Sequence, residues 1–413
     1  MSKVNFKYGQ AGSLYIAVLF SIVIGIGSSI ITTRILGPQD YGDLKFIQNF
    51  FQLLATIAPI GILPTGALLL ARLRENDLHK FELIGAILLI TAFLSIAFMT
   101  ISIAFSFVEN QLFGNLLGQT ILFFSPLIAI LIFQPCLEYI LQGDNQIYKL
   151  SFFRIMPGLL YVIFMLLMQY FFHITLGMTL LIQLVASSII TIAIIRQLRP
   201  TLTHFKENKN TIIETNKHYG WHIYLGSLSS VATSYLSTFM ISYYIDNTQV
   251  GFFALATTIS MPLMQIANVV GTTYFKDFAK EKFLPRKITL VAVGFTLLAL
   301  GLFVIFVKYL VVVLYTQKFI EVVSLSYIIA LGYSLFGIGD FVNRFLQAHG
   351  KGKELRNGAF LVGFVNISGY FLLIKFFGVV GAAITQLLSG FVYLCVMVYY
   401  YRNFKRQSLP SIQ

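Results

Sequence analysis

The stretch that decides the fold is residues 14–42, which read LYIAVLFSIVIGIGSSIITT followed by RILGPQDYG. The first 20 of these residues carry no charge, and about 20 apolar residues are what an α-helix needs to cross a bilayer. The apolar run is too long for the hydrophobic region of a signal peptide, and no small-residue cleavage site follows it. We therefore expect a retained transmembrane helix that ends in a turn containing Gly37 and Pro38.

Similar charge-free stretches recur along the chain, and they predict twelve transmembrane helices. The composition agrees, because 57% of residues are hydrophobic, only 11% are charged and the mean hydropathy is +0.81, whereas about a quarter of an ordinary soluble domain is charged. The predicted fold class is thus an all-α membrane protein. The predicted spans are approximately 14–33, 46–71, 83–108, 119–142, 155–172, 175–195, 219–244, 248–275, 288–314, 322–347, 357–374 and 378–401.

The distribution of positive charge predicts the orientation of these spans. Of the 29 Lys and Arg residues, 23 fall on the side that holds both termini, five lie on the other side or at its helix ends, and Arg344 lies inside a span. Positive residues concentrate on the cytoplasmic side of membrane proteins. We therefore expect both termini in the cytoplasm, and the net charge of +13 needs no nucleic-acid partner to explain it.

Two pairs of short segments indicate an internal repeat. Residues 35–42 resemble residues 244–251 at an offset of 209, and residues 139–143 resemble 344–348 at an offset of 205. Chance similarity between short turns is the alternative explanation. A duplication of six helices predicts an N-terminal lobe over 1–197, a cytoplasmic linker over 198–218 and a C-terminal lobe over 219–413. The lobes are expected to be related by a pseudo-two-fold axis along the membrane normal, with a central cavity between them.

Polar side chains inside the spans are the best candidates for a functional site, because each intramembrane charge costs about 2.5–3.5 kcal/mol on insertion scales and usually faces a wet path. They form stripes along single helix faces in the second, fourth, eighth and tenth spans. The candidates for the substrate cavity are Arg34, Lys45, Gln48, Gln52, Arg154 and Arg344, and the candidates for ion coupling are Glu138 and Asp340.

Each of these candidates also has a purely structural explanation. Asp340 and Arg344 are four residues apart, which is the spacing of an ion pair on one helix face. Such a pair can serve a substrate or a coupling ion, or it can only neutralise the helix for insertion. Glu138 has no partner within its own helix, so it must meet a cation elsewhere or carry a proton. The remaining cations suit either a phosphate contact or the membrane interface.

The sequence lacks the residue patterns of an enzyme or a metalloprotein. It contains no P-loop, no H-E-x-x-H and no G-x-S-x-G motif. Cys136 and Cys395 both lie in apolar runs, and His218 and His222 have no third ligand near them in sequence. We therefore expect no catalytic residues, no metal, no cofactor and no nucleic-acid partner.

Residues 34–42, followed by Gln48, resemble the R-x-L-G-P-x-x-Y-G-x-x-x-x-x-Q signature of Wzx-type polysaccharide flippases. These proteins belong to the multidrug/oligosaccharidyl-lipid/polysaccharide (MOP) superfamily. The resemblance implies a transporter in the bacterial cytoplasmic (inner) membrane that moves undecaprenyl-pyrophosphate-linked oligosaccharide units, of the O-antigen or capsule type, by alternating access. A proton or sodium gradient would drive it, and its partners would be the lipid-linked oligosaccharide, membrane lipids, and the polymerase and other polysaccharide-assembly proteins.

Two other functions remain open at this point. A multidrug or cation antiporter of the same superfamily would favour an acidic cavity, whereas the signature here is basic. A membrane polysaccharide polymerase usually carries a large periplasmic loop, and every outer loop predicted here is short. Lipid II flippases of the superfamily usually have two more helices than this chain, which argues against lipid II as the cargo.

Overall fold

A computed structural model describes the backbone of residues 2–73 and 77–408, and within these ranges the chain is all-helical with no strand. The all-α fold class is confirmed. The chain divides into two compact units, one up to Tyr235 and one from Leu236. The helices are α1 (Ser2–Ile57), α2 (Ile62–Arg72), α3 (His79–Phe113), α4 (Gly118–Phe124), α5 (Leu127–Gly143), α6 (Ile147–Phe171), α7 (Leu176–Leu198), α8 (Phe205–Thr215), α9 (Trp221–Tyr244), α10 (Asn247–Thr273), α11 (Phe275–Phe278), α12 (Arg286–Tyr315), α13 (Val322–Ala348) and α14 (Gly352–Ser408).

The two longest helices each contain two spans that meet at a glycine kink. Gly37 in α1 has φ 77° and ψ −179°, and Gly378 in α14 has φ 60° and ψ −145°. A Cβ atom would make both backbone conformations sterically unfavourable, so glycine is required at each kink. Pro38 follows the first kink and cannot donate a backbone hydrogen bond.

The number of spans agrees with the sequence. In the described ranges, eight helices are long and apolar enough to cross a membrane, and α4 with α5, bent by 53°, form a ninth span. Dividing α1 and α14 at their kinks and including α9 brings the number to twelve. The predicted twelve-helix architecture is confirmed.

The outer surface of the helices is apolar. On α12, the side chains of Phe295, Ile305 and Val313 are 58%, 62% and 64% exposed. A soluble protein would bury such residues, whereas hydrocarbon solvates them. The chain is therefore an integral membrane protein.

The second predicted span, over 46–71, is broken in the structure. The first helix ends at Ile57 and the next begins at Ile62, with Ile60 and Gly61 at φ 44° and 81°. Two side chains that follow the sixth span satisfy the carbonyl groups at the break. The Tyr224 hydroxyl in the first turn of α9 donates to Ile57 O (3.1 Å), and Asn216 Nδ2, just before α9, donates to Ile60 O (3.1 Å). Because hydrocarbon offers no donors, a broken helix in a membrane protein needs such partners.

The connection predicted as a linker over 198–218 folds onto the first unit. Its helix α8 packs against α2 and α3, with Ile212 fully buried. Thr201 N donates to Phe81 O at 3.0 Å, and the His204 ring contacts the Glu82 carboxylate at 3.2 Å. The compact units therefore divide inside α9, at Tyr235, and not within the linker. The alternation of apolar and polar residues in α8 explains this packing, since burying Ile212 favours contact with the unit.

Candidate functional site

The polar face of α1 after its kink opens into a cavity of about 230 Å³ in the first unit. Gln48 and Gln52, both candidates from the sequence, line this cavity. Lys45 Nζ donates to Gln48 Oε1 at 3.1 Å and lies 5.3 Å from the centre of the Tyr41 ring. The full lining consists of Gln48, Asn49, Phe51, Gln52, Leu127, Leu131 and Gln183, and we call it the amide pocket.

Local geometry explains how the amide pocket forms. Residues three or four apart share a helix face, which places Lys45, Gln48 and Gln52 on one side of α1. The 53° bend between α4 and α5 falls just before Leu127, at the wall of the cavity. The remaining wall comes from α7, whose first turn is capped by the Thr175 hydroxyl, which accepts from Met178 N at 3.4 Å.

Gln183 is a site residue that the sequence reasoning missed. Its Oε1 accepts a hydrogen bond from Gln48 Nε2 at 2.7 Å, which joins α7 to α1 across the cavity. The sequence contained a signal for it, because Gln183 is the one amide side chain in the predicted span 175–195. A polar side chain in a membrane helix seeks a polar partner on a neighbouring helix.

A second polar cluster lies between α10 and α13 in the second unit, centred on Arg344. The Nε and one terminal nitrogen of its guanidinium donate to Asn268 Oδ1 at 3.3 and 3.2 Å, and the other terminal nitrogen donates to Gln347 Oε1 at 3.2 Å. Asn268 in turn donates to Gln265 Oε1 at 3.2 Å, and Thr272 Oγ1 donates to Asn268 Oδ1 at 3.4 Å. Neutral amide oxygens therefore hold this cation within a span.

The ion pair expected between Asp340 and Arg344 is not formed, and that expectation was wrong. The Tyr393 hydroxyl on α14 donates to Asp340 Oδ1 at 2.8 Å, while Arg344 turns to α10. Asn343 also donates to the Tyr393 hydroxyl, at 2.6 Å. Each charged side chain finds a partner on a neighbouring helix, so helical spacing within α13 was not decisive.

Glu138 and Arg154 form a separate ion pair between α5 and α6. Arg154 donates two hydrogen bonds to Glu138 Oε2, at 2.6 and 3.0 Å, and the side chains are 31% and 36% exposed. Of the two possibilities that the sequence left for Glu138, the structure shows the cation on another helix. Arg34, by contrast, is exposed just before the kink of α1 and does not line the amide pocket.

The described residues contain no group of three or more His, Cys, Asp or Glu side chains arranged to hold a metal ion. Cys136 is fully buried against Thr91, and Cys395 is exposed on the apolar surface. The polar groups of the two clusters are instead amides, hydroxyls and a guanidinium, which bind through hydrogen bonds and charge. Such groups can recognise a polar ligand.

Comparison with known proteins identifies the family. The model of a family described as polysaccharide biosynthesis protein matches residues 10–275, more than half of the chain. The chain belongs to this family, which is part of the MOP superfamily. At a significant level, no curated protein sequence matches the chain.

The structure is similar to solved structures of transporters in the same superfamily. It matches the lipid II flippase MurJ in an inward closed conformation, with a TM-score of 0.74, 16% identity and coverage of 96% of this chain and 90% of that one. It also matches an inward-facing MATE-family multidrug transporter (TM-score 0.69, 15% identity, 96% of each chain). A MOP superfamily transporter from Pyrococcus furiosus, described as having a binding pocket of reversed polarity, matches with a TM-score of 0.57, 13% identity and coverage of 96% and 94%. At these identities the similarity establishes the two-lobe fold of twelve helices.

Proposed function

We propose that this protein flips an undecaprenyl-pyrophosphate-linked oligosaccharide repeat unit, of the O-antigen or capsule type, across the bacterial cytoplasmic membrane. Membership of a polysaccharide biosynthesis family supports a glycan cargo, and a fold shared with a lipid II flippase supports a lipid-linked one. A pyrophosphate with its sugars cannot cross hydrocarbon unaided, so its passage requires polar side chains within the spans.

The observation that carries the proposal is the environment of Arg344. Three of its five N–H groups bind neutral amide oxygens, which leaves two donors for a ligand. In the described part of the chain no carboxylate forms an ion pair with it. A cation held in this way inside a membrane protein suits an anionic ligand, and the planar guanidinium matches a phosphate group in geometry.

The competing functions fit these observations less well. A cation antiporter would bind its substrate on acids, whereas Glu138 is paired with Arg154 and Asp340 lies one helical turn from the positive Arg344 cluster. A polymerase would need a large periplasmic loop, whereas in the described ranges the two longest connections between spans, which contain α8 and α11, both lie on the predicted cytoplasmic side. We therefore assign transport and no covalent chemistry to the protein.

Alternating access driven by a proton or sodium gradient completes the proposed mechanism. Asp340 is the first candidate for coupling, because the Tyr393 hydroxyl donates to it and, among the described residues, no cation forms an ion pair with it. Glu138 is the second candidate, since Arg154 already neutralises it. The cargo and membrane lipids would be the direct partners, with the polymerase and other assembly proteins acting on the same pathway from the predicted outer side.

Deletion of the gene, followed by analysis of lipid-linked intermediates, tests this function. We expect single undecaprenyl-pyrophosphate-linked units to accumulate in the inner leaflet and surface glycan to be lost. Restoring the wild-type chain should reverse both effects. Unchanged surface glycan together with increased sensitivity to cationic drugs would contradict the proposal and favour the antiporter.

A further inference from the structure

The amide pocket has hydrogen-bonding capacity that the protein does not use. Both polar atoms of the Gln48 amide already form hydrogen bonds, since Oε1 accepts from Lys45 and Nε2 donates to Gln183. In the described part of the chain, Gln183 makes no hydrogen bond through its amide nitrogen, and the Gln52 amide makes none at all. Each free amide nitrogen offers two donors and each free amide oxygen offers two lone pairs. The lining therefore presents donors and acceptors together to whatever occupies the cavity.

The uncharged lining of the amide pocket matches a neutral ligand better than an ionic one. Among the described residues, no acidic or basic side chain lines the cavity. Lys45 is not part of this lining, and its ammonium donates a hydrogen bond to Gln48 Oε1. A phosphate would find no cation in the lining itself, and a cationic drug would find no carboxylate. A neutral ligand with several hydroxyl groups satisfies the amides without leaving a charge unpaired.

The size and walls of the pocket fit a ring. The volume is about 230 Å³, several times the roughly 30 Å³ that one water occupies in the liquid. Phe51, Leu127 and Leu131 supply apolar walls opposite the amides. A sugar ring combines polar hydroxyl edges with apolar C–H faces, so it can contact both kinds of wall at once.

The geometry points to a binding site for one neutral sugar ring of the lipid-linked cargo in the amide pocket, with Gln52 and Gln183 as its hydrogen-bonding residues. This assignment rests on the proposed flippase function. In this assignment the first unit binds the sugar ring through its amides. Gln183 is seven residues from the start of α7 at Leu176, which is about 10 Å along the helix. With the predicted orientation, the pocket lies in the outer half of the membrane, near the side of release.

Equilibrium binding to the purified full-length protein tests the assignment. The probes are undecaprenyl-pyrophosphate-linked units extracted from the deletion strain and undecaprenyl pyrophosphate without sugar. The variants are Gln52→Leu and Gln183→Leu, and the matched control is Gln169→Leu, which makes the same change at an exposed position on α6. Gln52→Leu breaks no side-chain hydrogen bond in the described structure, so it keeps the test valid if Gln183→Leu fails to fold.

We expect each pocket variant to weaken binding of the glycosylated probe by roughly three- to tenfold, the worth of one or two neutral hydrogen bonds. Binding of the sugar-free probe should stay at the wild-type level, and the control should bind both probes normally. An equal loss for both probes, or no loss for either, would overturn the sugar assignment while leaving the flippase function standing. Failure of the wild-type protein to bind either probe would overturn the flippase function and the sugar site with it.

Discussion

Each of the two units contains an arginine and an acidic residue within its spans, but the two pairs are arranged differently. The first unit joins its candidate arginine and acid, Arg154 and Glu138, in a direct ion pair between two helices. The second unit carries Arg344 and Asp340 on one helix, where a pair is easy to form, yet it holds them apart with Asn268, Gln347 and Tyr393. An arginine in an ion pair is already neutralised by its acidic partner. An arginine held by neutral amides can still neutralise an anionic ligand. We propose that this difference distinguishes residues that bind a ligand from residues that stabilise the packing.

The largest effect should come from removing the two arginines in turn. We expect Arg344→Ala to lower transport about 100-fold, because the two charge-assisted hydrogen bonds to phosphate that it removes are together worth about 3 kcal/mol, the lower end of their range. Arg344→Lys should retain about a tenth of the activity, since it keeps the charge but loses the planar fork. Arg154→Ala should lower transport less than about threefold, within the effect of losing a partly exposed ion pair.

Transport of the lipid-linked unit into proteoliposomes measures these differences. Arg356→Ala, at an exposed position near the start of α14, is the matched control and should behave as the wild type. Equal losses for Arg344→Ala and Arg154→Ala would remove the proposed distinction between the two units.

Substituting the two acids should also affect transport more in the second unit than in the first, but the difference should be smaller than for the arginines. Asp340→Asn keeps an acceptor for the Tyr393 hydroxyl while removing the group that could take up a proton or sodium ion. We expect about a tenfold loss of gradient-driven transport, within the roughly 5- to 150-fold range of coupling between two sites, with exchange at zero gradient retained. Glu138→Gln should leave the response to the gradient intact. Transport by both variants as a function of the imposed gradient decides the point, and a full gradient response by Asp340→Asn would exclude Asp340 from coupling.

The glycine kinks should affect both units alike. Gly37 and Gly378 occupy backbone conformations that essentially exclude other residues, so we expect each substitution by alanine to destabilise the protein by about 1–3 kcal/mol. Gly27→Ala in the first unit and Gly294→Ala in the second are matched controls, because each lies in a regular helix with nothing within 4 Å of the added Cβ. Thermal unfolding in detergent should show a lower midpoint for the kink variants only. A kink variant as stable as its control would show that glycine is not required there.

The smallest expected effect concerns the ion pair itself. Its side chains are about a third exposed, so solvent screening limits the coupling between them to about 1 kcal/mol. Thermal unfolding of Glu138→Gln, Arg154→Leu and the double variant measures this coupling free energy. A value near zero would mean that the two charges do not stabilise the first unit.

The sequence predicted much of the fold because hydropathy is a long-range signal. Twelve charge-free runs are visible without any knowledge of packing, and Gly37 and Pro38 mark the first kink directly. The break at Ile60 was not predicted, since it depends on donors from Asn216 and Tyr224, far away in the chain. The packing of α8 on the first unit was missed for the same reason.

The candidate site was predictable in its residue types but not in its partners. The polar stripe on α1 identified Gln48 and Gln52, which do line one cavity. Spacing within a single helix suggested the wrong partner for Asp340 and gave none for Glu138. The choice of partner is made between helices, so Gln183, Tyr393 and Asn268 became visible as partners only in three dimensions.

The most direct test of the account is the movement of cargo by the purified protein. Proteoliposomes would carry undecaprenyl-pyrophosphate-linked units in the inner leaflet only, and a membrane-impermeant lectin would report sugars that reach the outer leaflet. We predict that the wild-type protein exposes the sugars when an ion gradient is imposed, and that Arg344→Ala does so about 100-fold more slowly. Sugars that stay inside with the wild-type protein, or reach the outside equally fast with Arg344→Ala, would contradict it.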